Sequence, residues 1–368
     1  MIYTSPLRLT LSFYVWYFDF QMERGRKFIN QDKISLWMKY RLFFLLPISM
    51  VMIHGTALSL PTAEGGQATE IHGYPGKQIE WIIPYGPGGG YDVYSRAIAK
   101  ILPEYLPNKV SIVIRNMPGA GGRRGSALLY RSKPDGYTIG ILNPIGLMTS
   151  DVVKTSPDFD VEKYTYIVTC VRGVPGIFVR ADSDFKTIED LQHAENVKFA
   201  TSGRGSGTWL WAKLIEGLWG VRIHMVSGYL GTTEYITALL RKDVDAFTIG
   251  FTSPLIPYFR SGEIRPLLIF SRDSWDLVLE APTLKGTPFG ELEDFSNDRA
   301  IAGPPGLPDE IVHILESALL KTLNDPELKK WSERTRNPLY VRNSEETKVS
   351  IKETLKLVDK YRDLFKDW

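Results

Sequence analysis

Cysteine is nearly absent: Cys170 stands alone among 368 residues. A single thiol excludes an intramolecular disulfide and any cysteine-cluster metal site. The five histidines (His54, His72, His193, His224 and His313) are scattered, without a ligand spacing such as H-E-x-x-H. Metal chemistry is therefore not expected, and no cofactor is. Net charge is small as well. The formal +2 arises at the N-terminus, where residues 1–59 hold seven Lys/Arg and three Asp/Glu; the remainder carries 37 basic against 39 acidic residues. That balance calls for no nucleic acid. Long apolar runs are missing: Leu42–Ile53 has twelve residues, about 18 Å as a helix against roughly 30 Å of hydrocarbon. Internal repeats and low-complexity segments are absent too.

What is present begins at Met38. Lys39 and Arg41 precede the apolar run, and small residues follow at Gly55, Ala57 and Ser59. This is the layout of a secretory signal peptide over residues 38–59, with Ala57-Leu58-Ser59 as the cleavage site. Pro47 weakens a spanning helix, so export and cleavage are expected rather than anchoring. With no cysteine near the cut, lipoprotein attachment is excluded. Residues 1–37 fit neither a signal nor a domain, and Met38 is the expected natural start. Glu64–Gly73 reads as a flexible mature N-terminus.

The length suggests about two domains, and the chain is organised around Ile82–Arg96. A short apolar strand, Glu80–Ile83, runs into Pro84 and Pro87. Gly88, Gly89 and Gly90 follow, and Asp92 opens a helical pattern with Tyr94, Ala97, Ile98 and Ile101 on one face. Strand, glycine loop and helix N-terminus form an anion-binding arrangement, because the backbone can approach a ligand and the first helical N–H groups lack partners. A tight β–α turn favours glycine for structural reasons too. Further strands are expected at Lys109–Arg115, Tyr137–Leu142, Tyr164–Val171, Gly176–Arg180, Val197–Thr201, Ile223–Val226 and Ala246–Gly250. Helices are expected at Arg124–Arg131, Lys186–Gln192, from Thr208 to the stop at Gly220, Thr233–Arg241, Asp309–Leu323 and Glu345–Phe365. This alternation predicts βαβ units and a mainly parallel sheet, with ligands outside the carboxyl ends of strands. The Gly/Pro cluster Arg172–Gly176 is the candidate hinge, and Pro266–Phe270 is expected to return the chain to the first domain.

These loops, in this order, resemble the solute receptors of tripartite tricarboxylate transporters, the Bug family. The residues that carry the resemblance are Pro84-Tyr85-Gly86-Pro87-Gly88-Gly89-Gly90-Tyr91-Asp92 with Arg96, Asn116-Met117-Pro118-Gly119-Ala120-Gly121-Gly122, Pro134-Asp135-Gly136-Tyr137-Thr138, Gly203-Arg204-Gly205-Ser206 and Pro304-Pro305-Gly306-Leu307-Pro308. It runs from about residue 75 to the C-terminus. It implies an α/β, two-lobed periplasmic binding protein of type 2 topology with a ligand cleft between lobes. Lobe 1 would comprise residues 74–171 and 272–368, and lobe 2 residues 172–271. The lobes would close on a small carboxylate without chemistry, and the closed monomer would dock on inner-membrane permease subunits. Departures from the family pattern bear on the ligand: Arg123 and Arg124 replace an asparagine and an aliphatic residue, Tyr91 a small hydroxyl residue, and Leu230 a lysine. A histidine common in the helix after Ser206 is absent, with Trp209 and Trp211 nearby.

The candidate ligand-binding residues follow from the loops. Tyr85, Gly88, Gly89, Gly90, Tyr91 and Asp92 belong to the first, Gly121, Arg123 and Arg124 to the second, and Asn143 to the end of a strand. Ser202, Arg204, Gly205 and Ser206 belong to the second-domain loop, and Tyr229 and Thr232 to the next helix start. Asp92 repels an anion, so it reads as an N-cap or loop brace, or else as the receiver of a ligand ammonium group. Arg96, one turn on, is its natural partner. Arg123, Arg124 and Arg204 either grip carboxylates of a di- or tricarboxylate or are solvated surface arginines. Cys170, in an apolar strand, reads as a packing residue. A dinucleotide enzyme fits poorly, since Gly86-Pro87-Gly88 lacks the downstream glycine spacing. Ser206 lacks a nucleophile elbow. A receptor feeding a sensor or an ATP-driven importer is an alternative within the same fold.

Overall fold

The computed structural model describes residues 73–152, 159–275, 278 and 280–365; the signal segment and the extension before it lie outside the described residues. Strand β1 (Ile79–Ile83) is buried at four of its five positions, as a strand covered on both faces must be. It pairs in parallel with β2 (Ile112–Asn116) and β3 (Thr138–Leu142). The crossovers between them carry α1 (Gly90–Ile101) and α2 (Arg123–Tyr130). After α3 (Pro144–Val152), strand β4 (Thr165–Val171) forms the far edge of this sheet. The chain then leaves through Arg172-Gly173-Val174.

A second sheet repeats the plan. Strand β5 (Pro175–Arg180) leads through α4 (Ile188–His193) to β6 (Val197–Thr201). Helix α5 (Gly207–Trp219), β7 (Ile223–Ser227), α6 (Thr232–Leu240) and β8 (Ala246–Gly250) follow. Helix α7 (Ile256–Ser261) then delivers the edge strand β9 (Ile264–Ile269). The order is β7-β6-β8-β5-β9. The chain returns to the first sheet as β10 (Arg299–Gly303), which completes the order β2-β1-β3-β10-β4. Helices α8 (Asp309–Asn324), α9 (Pro326–Thr335) and α10 (Ser344–Lys360) finish the fold.

Two expectations need correction, and one is met with an exception. Each sheet is mainly parallel, four of its five strands pointing the same way, but β10 runs antiparallel to β3 and β4, and β5 antiparallel to β8 and β9. Each is the strand that arrives from the other sheet, so it enters from the opposite end. The segment Pro266–Phe270 does not return the chain, because β9 pairs with β5; the return begins after it. Helix α1 begins at Gly90 with Gly89 as N-cap, two residues before Asp92.

Sequence-level signals explain other boundaries. Helix α10 starts in a capping box, Asn343 accepting from the Glu346 amide at 2.9 Å and Glu346 from the Asn343 amide at 3.0 Å. Helix α5 stops at Gly220, which takes the left-handed conformation at φ 69°. Trp209, Leu210, Trp211, Leu214 and Ile215 of α5 are all buried, the pattern of a helix enclosed on every side. Trp211 packs on Phe270 at 4.4 Å, and Trp209 meets Phe365 from the C-terminal turn at 6.0 Å between ring centres. The chain end thus ties the first sheet's helices to α5, and truncating either tryptophan to alanine would cost about 3–5 kcal/mol.

Candidate ligand-binding site

The carboxyl end of β1 faces those of β6 and β7 across a cleft. Each glycine-bearing turn there opens a helix whose first N–H groups have no partner within the helix. The first turns of α1 (Gly89, Gly90, Tyr91), α5 (Ser206, Gly207, Thr208) and α6 (Gly231, Thr232) all line one enclosed cavity of about 50 Å³. Tyr85, Asn143, Ser202, Trp211, Tyr235, Thr248, Ile249, Gly250, Thr252, Asn297 and Arg299 complete its wall. Among the described residues no Asp or Glu lines it, and Arg299 is the single charged side chain in its wall. The two lobes are drawn together here. The Gly86 amide donates to the Leu230 carbonyl at 3.0 Å, and a Cβ on Gly121 would come within 2.7 Å of the Ser206 Cβ.

Hydroxyls on the second-lobe side are largely partnered. Ser206 caps α5, its Oγ accepting from the Trp209 amide at 3.2 Å and lying 3.0 Å from Thr208 Oγ1. Thr208 Oγ1 accepts from the Ser202 amide at 3.0 Å, and Ser202 Oγ bonds the Tyr235 hydroxyl. On the first-lobe side the Tyr85 and Tyr91 rings lie 4.4 Å apart. Burial raises the Tyr85 hydroxyl well above its ordinary range, against the pull of its hydrogen bond with Asn143. Tyr91 is raised by burial in the same way, against Arg299. Both are neutral donors at physiological pH.

Other groups in the wall have no partner. Trp211 Nε1, Thr248 Oγ1, Thr252 Oγ1 and both Nε and Nη1 of Arg299 are buried without a hydrogen bond among the described residues. Arg299 is 1% exposed. Its guanidinium lies 4.9 Å from the Tyr91 ring centre and 4.8 Å from that of Tyr94. Strand alternation sends the neighbouring Asp298 to the opposite face of β10, where its carboxylate lies 3.5 Å from Arg342. Burial raises the Asp298 carboxyl, opposed by Ser296, Arg342, Arg172 and Arg299. So many orphaned polar groups at one place mark a site built for a polar guest.

Of the residues singled out from sequence, Tyr85, Gly89, Gly90, Tyr91, Asn143, Ser202, Ser206 and Thr232 lie in the cavity wall. Gly88, Asp92, Gly121, Arg123, Arg124, Arg204, Gly205 and Tyr229 do not. Asp92 is turned back on its own loop: it accepts from the Gly88 amide at 3.0 Å, Arg96 Nε at 2.9 Å and Asn116 Nδ2 at 3.0 Å. Burial would raise its carboxyl, but Arg96, Gly88 and Asn116 together hold it below the usual carboxylate range. It braces the loop and has no acceptor capacity aimed at the cavity. Arg124 and Arg204 are exposed, and Arg123 is half-buried. Tyr229 packs edge-on against Tyr235, 5.9 Å between ring centres. Sequence reasoning did not single out Arg299, Thr248, Thr252, Trp211, Tyr235 or Asn297. The carboxyl-end rule applied to β8 would have found Thr248 and Thr252. Arg299 has no such signal, because Asn297-Asp298-Arg299 reads as a solvated loop. Among the described residues no cluster of His, Cys, Asp and Glu is placed to hold a metal.

Comparison with known proteins agrees with this architecture. The periplasmic binding protein BugD superimposes with a TM-score of 0.71 at 22% identity, covering 80% of this chain and 100% of that one. MatC from Rhodopseudomonas palustris, solved with bound malate, gives 0.70 at 19% identity, with 80% and 100% coverage. A further R. palustris protein, solved with adipate, gives 0.70 at 22%, with 79% and 98% coverage. The two-lobed periplasmic binding protein fold implied by the sequence is therefore present. The family model described as tripartite tricarboxylate transporter family receptor matches residues 95–362. That family comprises periplasmic substrate-binding receptors rather than enzymes, and the chain belongs to it.

Proposed function

We propose that this receptor captures a small carboxylate in the periplasm, with di- and tricarboxylates favoured, and delivers it unchanged to a tripartite-type secondary transporter. One observation carries the reading: three helix N-termini from opposed lobes meet at a cavity with no acidic side chain among the described residues of its wall. Each terminus presents unpaired amides and about half a positive charge, so the cavity favours an anion. The dicarboxylates held by two proteins of the same fold support the choice of carboxylate. Opening about the 172 and 271 crossovers would admit the guest, and closure would form the surface that the permease reads. A cleaved signal segment ending near Ser59 would deliver the chain to the periplasm.

The test is a thermal-shift panel of mono-, di- and tricarboxylates and acidic amino acids, on protein first unfolded and refolded to strip any co-purified guest. At a hundred times its dissociation constant a ligand adds about 2.7 kcal/mol, or about 4 °C for a chain of this size. Silence across the whole panel contradicts the reading. Delivery is tested in cells: uptake of the labelled ligand should need both this receptor and the permease, and uptake that survives loss of the permease argues for another importer.

A further inference from the structure

The cavity wall partners some of its hydroxyls, those of Ser202, Ser206 and Thr208, and leaves two nitrogens of a buried cation without a hydrogen bond among the described residues. Arg299 is 1% exposed, and two of its guanidinium nitrogens, Nε and Nη1, one from each of the two edges that can grip a carboxylate, have no partner among the described residues. A buried charge without a counter-ion costs several kcal/mol. The Tyr91 and Tyr94 rings offset only part of that, about 2 kcal/mol for a desolvated cation over an aromatic face. Asp298 does not serve as the counter-ion, since it leaves β10 on the other face toward Arg342. Two hydroxyls in the same wall, Thr248 Oγ1 and Thr252 Oγ1, are equally bare. Thr252 and Arg299 also converge on one point, because a Cβ added to Gly90 would lie 2.7 Å from Arg299 Nη2 and 2.8 Å from Thr252 Cγ2. The Nη2 end of the guanidinium therefore sits at the N-terminus of α1, with a lobe-2 hydroxyl residue beside it.

The geometry points to Arg299 as the residue that sets ligand charge: it receives one carboxylate of a guest carrying at least two negative charges and excludes guests with an ammonium group. This inference rests on the carboxylate reading above and deepens it. Charge matching is the reason. One guanidinium and three helix ends of about half a charge each give the wall more than two positive equivalents, which a monoanion leaves unbalanced. An amino acid with the same carbon skeleton would bring an ammonium into that field, and the wall has no carboxylate to receive it. Asp92, next to Tyr91 along the chain, is already saturated by Gly88, Arg96 and Asn116.

Calorimetric titration of wild type, R299K and R299M with succinate, butyrate and L-aspartate tests this directly. These guests share a four-carbon backbone and differ by one carboxylate or one ammonium group. Wild type should bind succinate at least about 30-fold more tightly than either of the others. In R299M the succinate affinity should fall by about 30-fold or more, to near that of butyrate. R299K should recover part of the loss, since it restores charge without the paired donors. A purely structural role is separated by the ligand-free melting temperature: removing a bare buried charge should leave R299M at least as stable as wild type. Persistence of the succinate preference in R299M, or equal binding of aspartate and succinate by wild type, overturns the assignment. Failure of wild type to bind any carboxylate in the wider panel would instead remove the receptor reading on which it stands.

Discussion

Replacing Gly90 by alanine should weaken ligand capture while leaving the fold intact. Gly90 is the first residue of α1, on the first lobe. An added Cβ there would stand 2.8 Å from Thr252 Cγ2 and 3.0 Å from Thr252 Cβ. Carbon atoms pack at about 3.5–4.0 Å, so the overlap is about 0.5–1 Å. Thr252 is β-branched and stiff at χ1, and Arg299 Nη2 blocks the other direction at 2.7 Å. Overpacking of this size costs about 1–3 kcal/mol. Because Thr252 follows β8 on the second lobe, the penalty applies to the closed arrangement and disappears when the lobes separate. A ligand that needs closure then loses affinity by that amount, about 5-fold to 150-fold. The open form is free of the Thr252 clash and keeps only the contact with Arg299 Nη2, the far end of a long side chain on the same lobe, while alanine is the better helix former by up to about 1 kcal/mol. Calorimetric titration of G90A with a bound dicarboxylate, beside its ligand-free melting curve, reads both effects. An unchanged dissociation constant would refute the wedge argument, and a large drop in ligand-free stability would show that the lobes never part.

The D92A variant should lose about 1–2 kcal/mol, because three hydrogen bonds to one buried carboxylate go together while Gly88 and Arg96 can turn to water. Its sign with pH is set by the lowered carboxyl: the contribution is complete above the unfolded value of about 4 and is lost as pH falls through the folded one. Denaturation midpoints of wild type and D92A should therefore converge in acid, and a constant gap would contradict the bracing role. Alanine at Arg124 or Arg204, both exposed and outside the cavity wall, should leave dicarboxylate affinity unchanged within about twofold; a selective loss for dicarboxylates would return the specificity role to these residues. Cys170 is fully buried and burial pushes its thiol up to about 12, so native protein should resist alkylation until it unfolds. Labelling of the folded form, seen by mass spectrometry, would contradict that.

Much of the fold was legible because local chemistry and long-range packing agree. The run Glu80–Ile83 reads as a short apolar strand and lies within one, and Asn343 with Glu346 reads as a helix start and forms both capping bonds. Helices α3, α7 and α9 escaped notice for a different reason. Each begins at or next to a proline, which signals a turn as readily as a first helical residue. The glycine loops were readable as close-approach sites, since glycine at Gly90 or Gly121 has a steric cause visible in pattern. The charged partner was not. Arg299 owes its burial to two tyrosines on α1 and to a strand arriving from the other lobe, contacts more than 200 residues apart along the chain. In sequence it looks like any arginine beside an aspartate. Arg123, Arg124 and Arg204 looked better placed because they adjoin glycine loops, but adjacency along a loop does not fix the side on which a side chain emerges.

The most direct test of a carboxylate clamped between the lobes is a crystal structure of the mature protein grown with malate. The account predicts carboxylate oxygens about 2.7–3.2 Å from first-turn amides of α1, α5 or α6, inside the cavity that also holds Arg299. A guest bound outside that cavity, or lobes open with the glycine turns facing solvent around an empty cleft at saturating malate, would contradict it.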